Sequence, residues 1–137
     1  MLNDSNCSLV WVGLLLIQNR KLLTTREKGK DLFQLPGGGM KDEESYEDTL
    51  RREVYEELCL EINNPKIFDD FILPGRHENL MIRFLVYTAD ILGEIKKGEE
   101  IEEIRWIDSN YQAEGLDVGN AAKLKVIPRL LQEGILR

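Results

Sequence analysis

Histidine and cysteine are almost missing from this 137-residue chain, which holds one histidine, His77, and two cysteines, Cys7 and Cys59. The cysteines stand far apart without zinc-type spacing, and a lone histidine gives poor support to a zinc site or a His-centred nucleophilic triad. No disulfide framework is suggested, so a reducing cytoplasm is the expected setting. Long apolar runs are missing too. The candidate run, Leu9 to Ile17 (LVWVGLLLI), falls far short of the roughly 20 residues that span a bilayer. Its flank, MLNDSNCS, carries an acid and no Lys or Arg, which is wrong for an export signal. A buried strand is the better reading, and no membrane partner is expected. Repeats, low-complexity tracts and linkers are absent.

Basic charge is in deficit. Lys and Arg total 18 against 25 Asp and Glu, a net charge of −7. That balance argues against tight non-specific binding to a nucleic acid polymer or an anionic membrane. The length leaves room for one domain, residues 1–137, with a proper core, and too little for two.

What the chain does hold is carboxylate in a particular pattern. Residues 45 to 59 contain no Gly or Pro and are rich in Glu, Arg and Leu, so helix is expected. Ser45 is the expected N-cap, with Glu47 and Asp48 in the first turn, where negative charge suits the helix dipole. Leu50, Val54 and Leu58 recur at i, i+4, i+8 and make one apolar stripe. Glu53, Glu56 and Glu57 fall within an arc of about 100° beside it. Such charges repel one another, so they either face open water or are neutralised by a cation. Carboxylate oxygens suit a hard ion such as Mg²⁺ or Mn²⁺. Before the helix stands FQLPGGG, in which Pro36 fixes φ while Gly37, Gly38 and Gly39 permit positive φ and close approach to a ligand.

Together these residues read Gly38-x5-Glu44-x7-Arg52-Glu53-Val54-Tyr55-Glu56-Glu57. This resembles the Nudix box, a glycine and a glutamate followed by R-E-U-x-E-E-x-G-U, where U is bulky and aliphatic. Three positions depart from the pattern. Cys59 stands where the box has its last glycine, and Lys41 and Glu43 where many relatives have Glu and Gly. The resemblance implies an α/β (α+β) fold, an α/β/α sandwich on a mixed β-sheet. It also implies a hydrolase that cleaves a pyrophosphate bond in a nucleoside diphosphate linked to another group. Glu53, Glu56, Glu57 and the Gly38 carbonyl would hold Mg²⁺, with Mn²⁺ as an alternative. The ion would neutralise phosphate oxygens and activate a water. Arg52 would pair with Glu44 and orient the glutamates. Glu53 is the first choice of general base and Glu100 the second. A nucleotide-binding module without catalysis is the alternative, against which stands the intact glutamate set. The partner is a small nucleotide, and a homodimer stays open.

Coarsely, strands are expected at 6–18, 21–26, 32–35, 60–72, 80–92 and 102–108, with Gln18-Asn19-Arg20 as a turn. Asn120 is expected to cap a helix carrying Leu124, Ile127, Leu130 and Leu131, which Pro128 interrupts or kinks. Arg26 either meets substrate phosphate, as the resemblance implies, or is a surface strand arginine. Glu100 and Glu103, in KGEEIEE, give either a further metal-binding or basic glutamate or a solvated acidic loop. Phe33, Leu35 and Trp106 stack on a base or fill the core. In LPGRHEN, Pro74 lies about where ADP-ribose-hydrolysing relatives place a proline, and Arg76 and His77 could meet a phosphate or ribose. Asn120 is similar in place to an asparagine that reads a purine in some relatives. The substrate favoured by these features is a nucleoside triphosphate, modified or not, cut to monophosphate and pyrophosphate. Arg26 is placed for its polyphosphate tail, and the short chain leaves little room for an extra N-terminal domain. ADP-ribose, a nucleotide sugar or a dinucleoside polyphosphate is the alternative.

Overall fold

In the computed structural model, which describes residues 7, 9–76 and 80–137, the Gly- and Pro-free stretch after Ser45 forms helix α1, Tyr46–Leu58. Ser45 caps it reciprocally. The Ser45 hydroxyl accepts from the Asp48 N–H at 3.0 Å, and the Asp48 carboxylate accepts from the Ser45 N–H at 3.1 Å. Leu50, Val54 and Leu58 are each fully buried, so the apolar stripe faces the core. Cys59 ends the helix in the left-handed conformation, φ 59° and ψ 31°, with its N–H bonded to the Tyr55 carbonyl. The next carbonyls of that end are met from a distant loop. The N–H of Gly98 bonds to the Glu57 carbonyl at 2.9 Å, and that of Lys96 to the Leu58 carbonyl at 3.0 Å.

The strands are β1 (Leu9–Leu14), β2 (Ile17–Gln18), β3 (Lys21–Glu27), β4 (Phe33–Gln34), β5 (Gly37–Gly39), β6 (Glu61–Pro74), β7 (Met81–Leu92) and β8 (Ile101–Ile107). One mixed sheet runs β5-β1-β7-β6, parallel only between β1 and β7. In the second sheet β3 is central. It pairs with β8 along one edge and with the short β2 and β4 along the other. The strand expected at 6–18 is divided, because the chain leaves β1 after Leu14 and re-pairs only at β2; residues 6 and 8 lie outside the described set. Asn19 and Arg20, at φ 52° and 60°, turn the β2–β3 hairpin.

Side-chain alternation splits the core in two. Val12, Leu14, Leu23 and Leu85 pack against α1, whereas Leu22, Phe71 and Val86 pack against the C-terminal helical segment. The mixed sheet is thus covered on both faces, the layered arrangement expected. The C-terminal segment differs in detail. Residues Ala121–Val126 are wound as a π-helix, and α2 (Ile127–Gln132) follows, with Pro128 tolerated in its first turn. Asn120 has helical φ and ψ and makes no side-chain capping bond, so the expected N-cap is not formed. The wider winding also changes the buried face. Ala122, Val126, Ile127 and Leu130 are buried, while Leu124 and Leu131 are exposed. Among the described residues, no helix is long and apolar enough to cross a membrane.

Candidate functional site

Three elements meet at the glutamate face of α1. β5 runs antiparallel to β1, with Gly38 opposite Val12, and it passes directly under the helix. A Cβ on Gly38 would strike the carboxylate of Glu53, and one on Gly37 would strike the Val12 carbonyl. Glycine is therefore required at Gly37, where the clash is with backbone, whereas at Gly38 it makes room for the present position of the Glu53 carboxylate. Positive φ is not the reason at Gly38 or Gly39, contrary to the sequence expectation.

Arg52 organises the acids. Its Nε lies 2.7 Å from Glu44 Oε2 and its Nη2 3.0 Å from Glu44 Oε1, a two-point pair. Nη2 also donates to the Gly39 carbonyl at 3.2 Å, and Nη1 reaches Glu53 Oε1 at 2.7 Å and Glu56 Oε2 at 3.5 Å. Hydrogen bonds from Arg52 and then from the Lys41 N–H hold the Glu44 carboxyl down at about 2. The same partners, Glu44 first, raise the pKa of Arg52 further, so it is cationic throughout.

Glu57 turns inward instead of toward open water. Its Oε1 accepts from the Thr25 hydroxyl and its Oε2 from the Gly37 N–H, each at 3.2 Å. Burial, and then the hydrogen bond and charge of Glu53, push the Glu57 carboxyl well above the ordinary value of 4.5. A divalent cation beside Glu53 and Glu57 would offset the repulsion between their charges. All the donors are oxygens, so the set fits a hard ion. Among the described residues, no three Asp, Glu, His or Cys side chains are gathered at ligand geometry as they stand. Glu53 leans to Arg52, Glu57 to β3 and β5, and Glu56 is 53% exposed.

A recess of about 490 Å³ opens over this face, lined by Glu27, Glu53, Glu56, Glu57, Glu99 and Glu100 among others. Glu100 thus stands with the helix glutamates. Glu103 does not; it bridges Arg26 at 3.4 Å and Arg105 at 3.5 Å. Arg26 is also held by the Lys30 carbonyl at 2.9 Å and lies over Phe33. On β3 its side chain alternates with that of Thr25, so it faces away from Glu57.

A second recess, about 440 Å³, brings together Arg76, Asn120, Pro74, Lys30, Gln34 and Trp11. Arg76 is 3.5 Å from Asp117. Trp11 and Phe84 line its wall with ring centres 5.5 Å apart. Leu35 contributes to this wall, Phe33 is core, and Trp106 packs on the α1 side. His77 lies outside the described residues. Sequence reasoning missed Thr25, Glu27 and the Gly37 N–H. The only trace of the first was a pair of threonines, Thr24 and Thr25, inside an otherwise apolar strand.

The site is thus a glycine strand under an Arg-ordered glutamate helix, set in a sheet covered on both faces. The chain belongs to the Nudix family: the model described as NUDIX domain matches residues 9–130. An ADP-ribose pyrophosphatase of Methanocaldococcus jannaschii is 29% identical over 101 residues, 72% of this chain and 60% of that protein. A putative Nudix hydrolase family member from Chromobacterium violaceum superposes with a TM-score of 0.72 at 23% identity, covering 90% of this chain and 77% of the other. A bifunctional NMN adenylyltransferase/ADP ribose pyrophosphatase from Francisella tularensis gives 0.67 at 25% identity, over 91% of this chain and 41% of that one.

Proposed function

We propose that the chain is a Mg²⁺-dependent hydrolase that cuts the pyrophosphate linkage of a nucleoside diphosphate derivative, with ADP-ribose as the foremost substrate. The observation that carries this reading is the seating of two helix glutamates on the glycine strand, Glu57 on the Gly37 N–H and Glu53 against Gly38, with Arg52 fixed beside Glu53. Glu53, Glu56, Glu57 and the Gly38 carbonyl would hold the ion, with Mn²⁺ as a substitute, after rotation of the more exposed Glu56. When bound, that ion supplies positive charge to phosphate oxygens and acidity to a water. Arg52, tied to Glu44, keeps Glu53 oriented and remains cationic. Glu53 serves as the proton acceptor, and Glu100, across the same recess, is the second choice.

The nucleoside end would enter the other recess. There Asn120 and Gln34 offer amides and Trp11 and Phe84 an aromatic wall, while Lys30 and Arg76, paired with Glu27 at 2.7 Å and Asp117 at 3.5 Å, would meet phosphate by exchanging those exposed partners. Support for ADP-ribose comes from the 29% identical relative that bears that name, and from Pro74 and Arg76 in the recess wall. A nucleoside triphosphate is the second reading. Its original support weakens because Arg26 is spent on Lys30 and Glu103. Comparing kcat/KM for ADP-ribose, triphosphates, nucleotide sugars and dinucleoside polyphosphates at matched Mg²⁺ decides the matter. A preference for ADP-ribose of more than about tenfold, roughly 1.4 kcal/mol in transition-state binding, is expected. The same preference for a triphosphate would reverse the order, and nucleotide binding without turnover would favour the non-catalytic module.

A further inference from the structure

Thr25 is a buried hydroxyl that reaches the glutamate face from β3, and it has no part in the roles proposed above. It is 3% exposed and lies in the central strand of its sheet, opposite Gln34 on β4 and Ile104 on β8. Pairing on both edges fixes its backbone. Its hydroxyl donates to Glu57 Oε1 at 3.2 Å while the Gly37 N–H donates to Oε2 at the same distance. Two donors from two different strands fix both the position and the plane of one carboxylate. Each carboxylate oxygen has two lone-pair directions, so one per oxygen stays free after the cradle is made.

We infer that Thr25 is a positioning residue that holds Glu57 as a preformed ligand for the divalent ion, through a hydroxyl–carboxylate bond reaching from β3 to α1. The inference rests on the metal reading of this site and adds a residue outside the glycine–glutamate motif. Without the hydroxyl, Glu57 would keep a single donor and its carboxylate would swing about the Gly37 bond. An ion would then have to order it on arrival. Outer-shell partners of this kind commonly change metal affinity 10- to 100-fold.

Valine matches the shape of threonine and removes only the hydroxyl, whereas serine restores it. The intact chain and its variants are titrated with Mn²⁺ alone, following free Mn²⁺ by electron paramagnetic resonance, with thermal melts alongside. Thr25→Val is expected to weaken Mn²⁺ binding about tenfold or more, and Thr25→Ser to recover most of it. Thr24→Val is the structural control. It removes a neighbouring, fully buried hydroxyl that donates to the Arg105 carbonyl at 2.8 Å, and it should lower the melting temperature without moving Mn²⁺ affinity. Wild-type affinity in Thr25→Val, or an equal loss in Thr24→Val, overturns the inference. If the wild-type chain itself binds no Mn²⁺, the metal reading falls and the inference with it.

Discussion

Glu43 and Cys59 sit where the Nudix box and its turn commonly have glycine, and both adopt positive φ, 68° and 59°. A side chain in that region carries a steric penalty of about 1–2 kcal/mol, partly offset by the greater freedom glycine has when unfolded. Glu43→Gly and Cys59→Gly are therefore expected to stabilise the fold by about 0.5–1 kcal/mol each, seen as a rise of a few degrees in Tm. Gly38→Ala should act on the site instead of the fold, because its methyl group displaces the flexible end of Glu53. A fall in kcat of about 100-fold or more, with the melting transition retained, is expected from displacing the proposed proton acceptor; unchanged kcat would show that Glu53 has no need of its present position.

Glu44 gives a pH signature. Its folded pKa, about 2, lies below the ordinary 4.5, so the unfolded chain binds more protons and stability falls as pH drops from about 4.5 through 2. Glu44→Gln should flatten that part of a pH–stability profile. Glu57 is raised, so its sign is reversed: without metal, stability declines as pH climbs above 4.5. Saturating Mg²⁺ should remove that decline, which melts in EDTA and in Mg²⁺ would reveal.

At the scale of elements, the loop before β8 and the end of α1 behave as one piece. Gly98 donates to the Glu57 carbonyl, and a Cβ there would strike the Glu56 carbonyl, backbone against backbone. Gly98→Ala is expected to cost about 1–3 kcal/mol by overpacking and to weaken Mg²⁺ binding, since Glu56, Glu57 and Glu100 all hang on this junction. Calorimetry on the variant checks both effects. The same contrast explains what the sequence made legible. Helix α1 was readable because its cap, stripe and charges are local signals within fifteen residues. The β5 strand was not, since three glycines carry no alternation and their constraint comes from Glu53 and Val12 across space. The C-terminal helical segment was placed correctly, but π winding moved Leu124 and Leu131 outward, a shift that a 3.6-residue period cannot anticipate. Arg26 looked available for phosphate because the ties to Lys30 and Glu103 form only in three dimensions.

At the scale of the whole molecule, the two recesses differ in lining, one acidic beside α1 and one mixed and aromatic beside the C-terminal segment, and their rims meet at the Lys30–Glu27 pair, 2.7 Å apart. A substrate with a diphosphate between two dissimilar ends suits that arrangement. The acidic wall by itself would repel such a substrate, so cation and nucleotide should bind with mutual assistance, each lowering the apparent Kd of the other. The most direct measurement is ³¹P NMR of ADP-ribose with the chain in Mg²⁺, in EDTA, and in Mg²⁺ with Glu57→Gln. The account predicts that the diphosphate resonances give way to those of AMP and ribose 5-phosphate in the first sample alone. Equal hydrolysis in EDTA or by Glu57→Gln would contradict it, as would an unchanged spectrum for ADP-ribose and for triphosphates in saturating Mg²⁺.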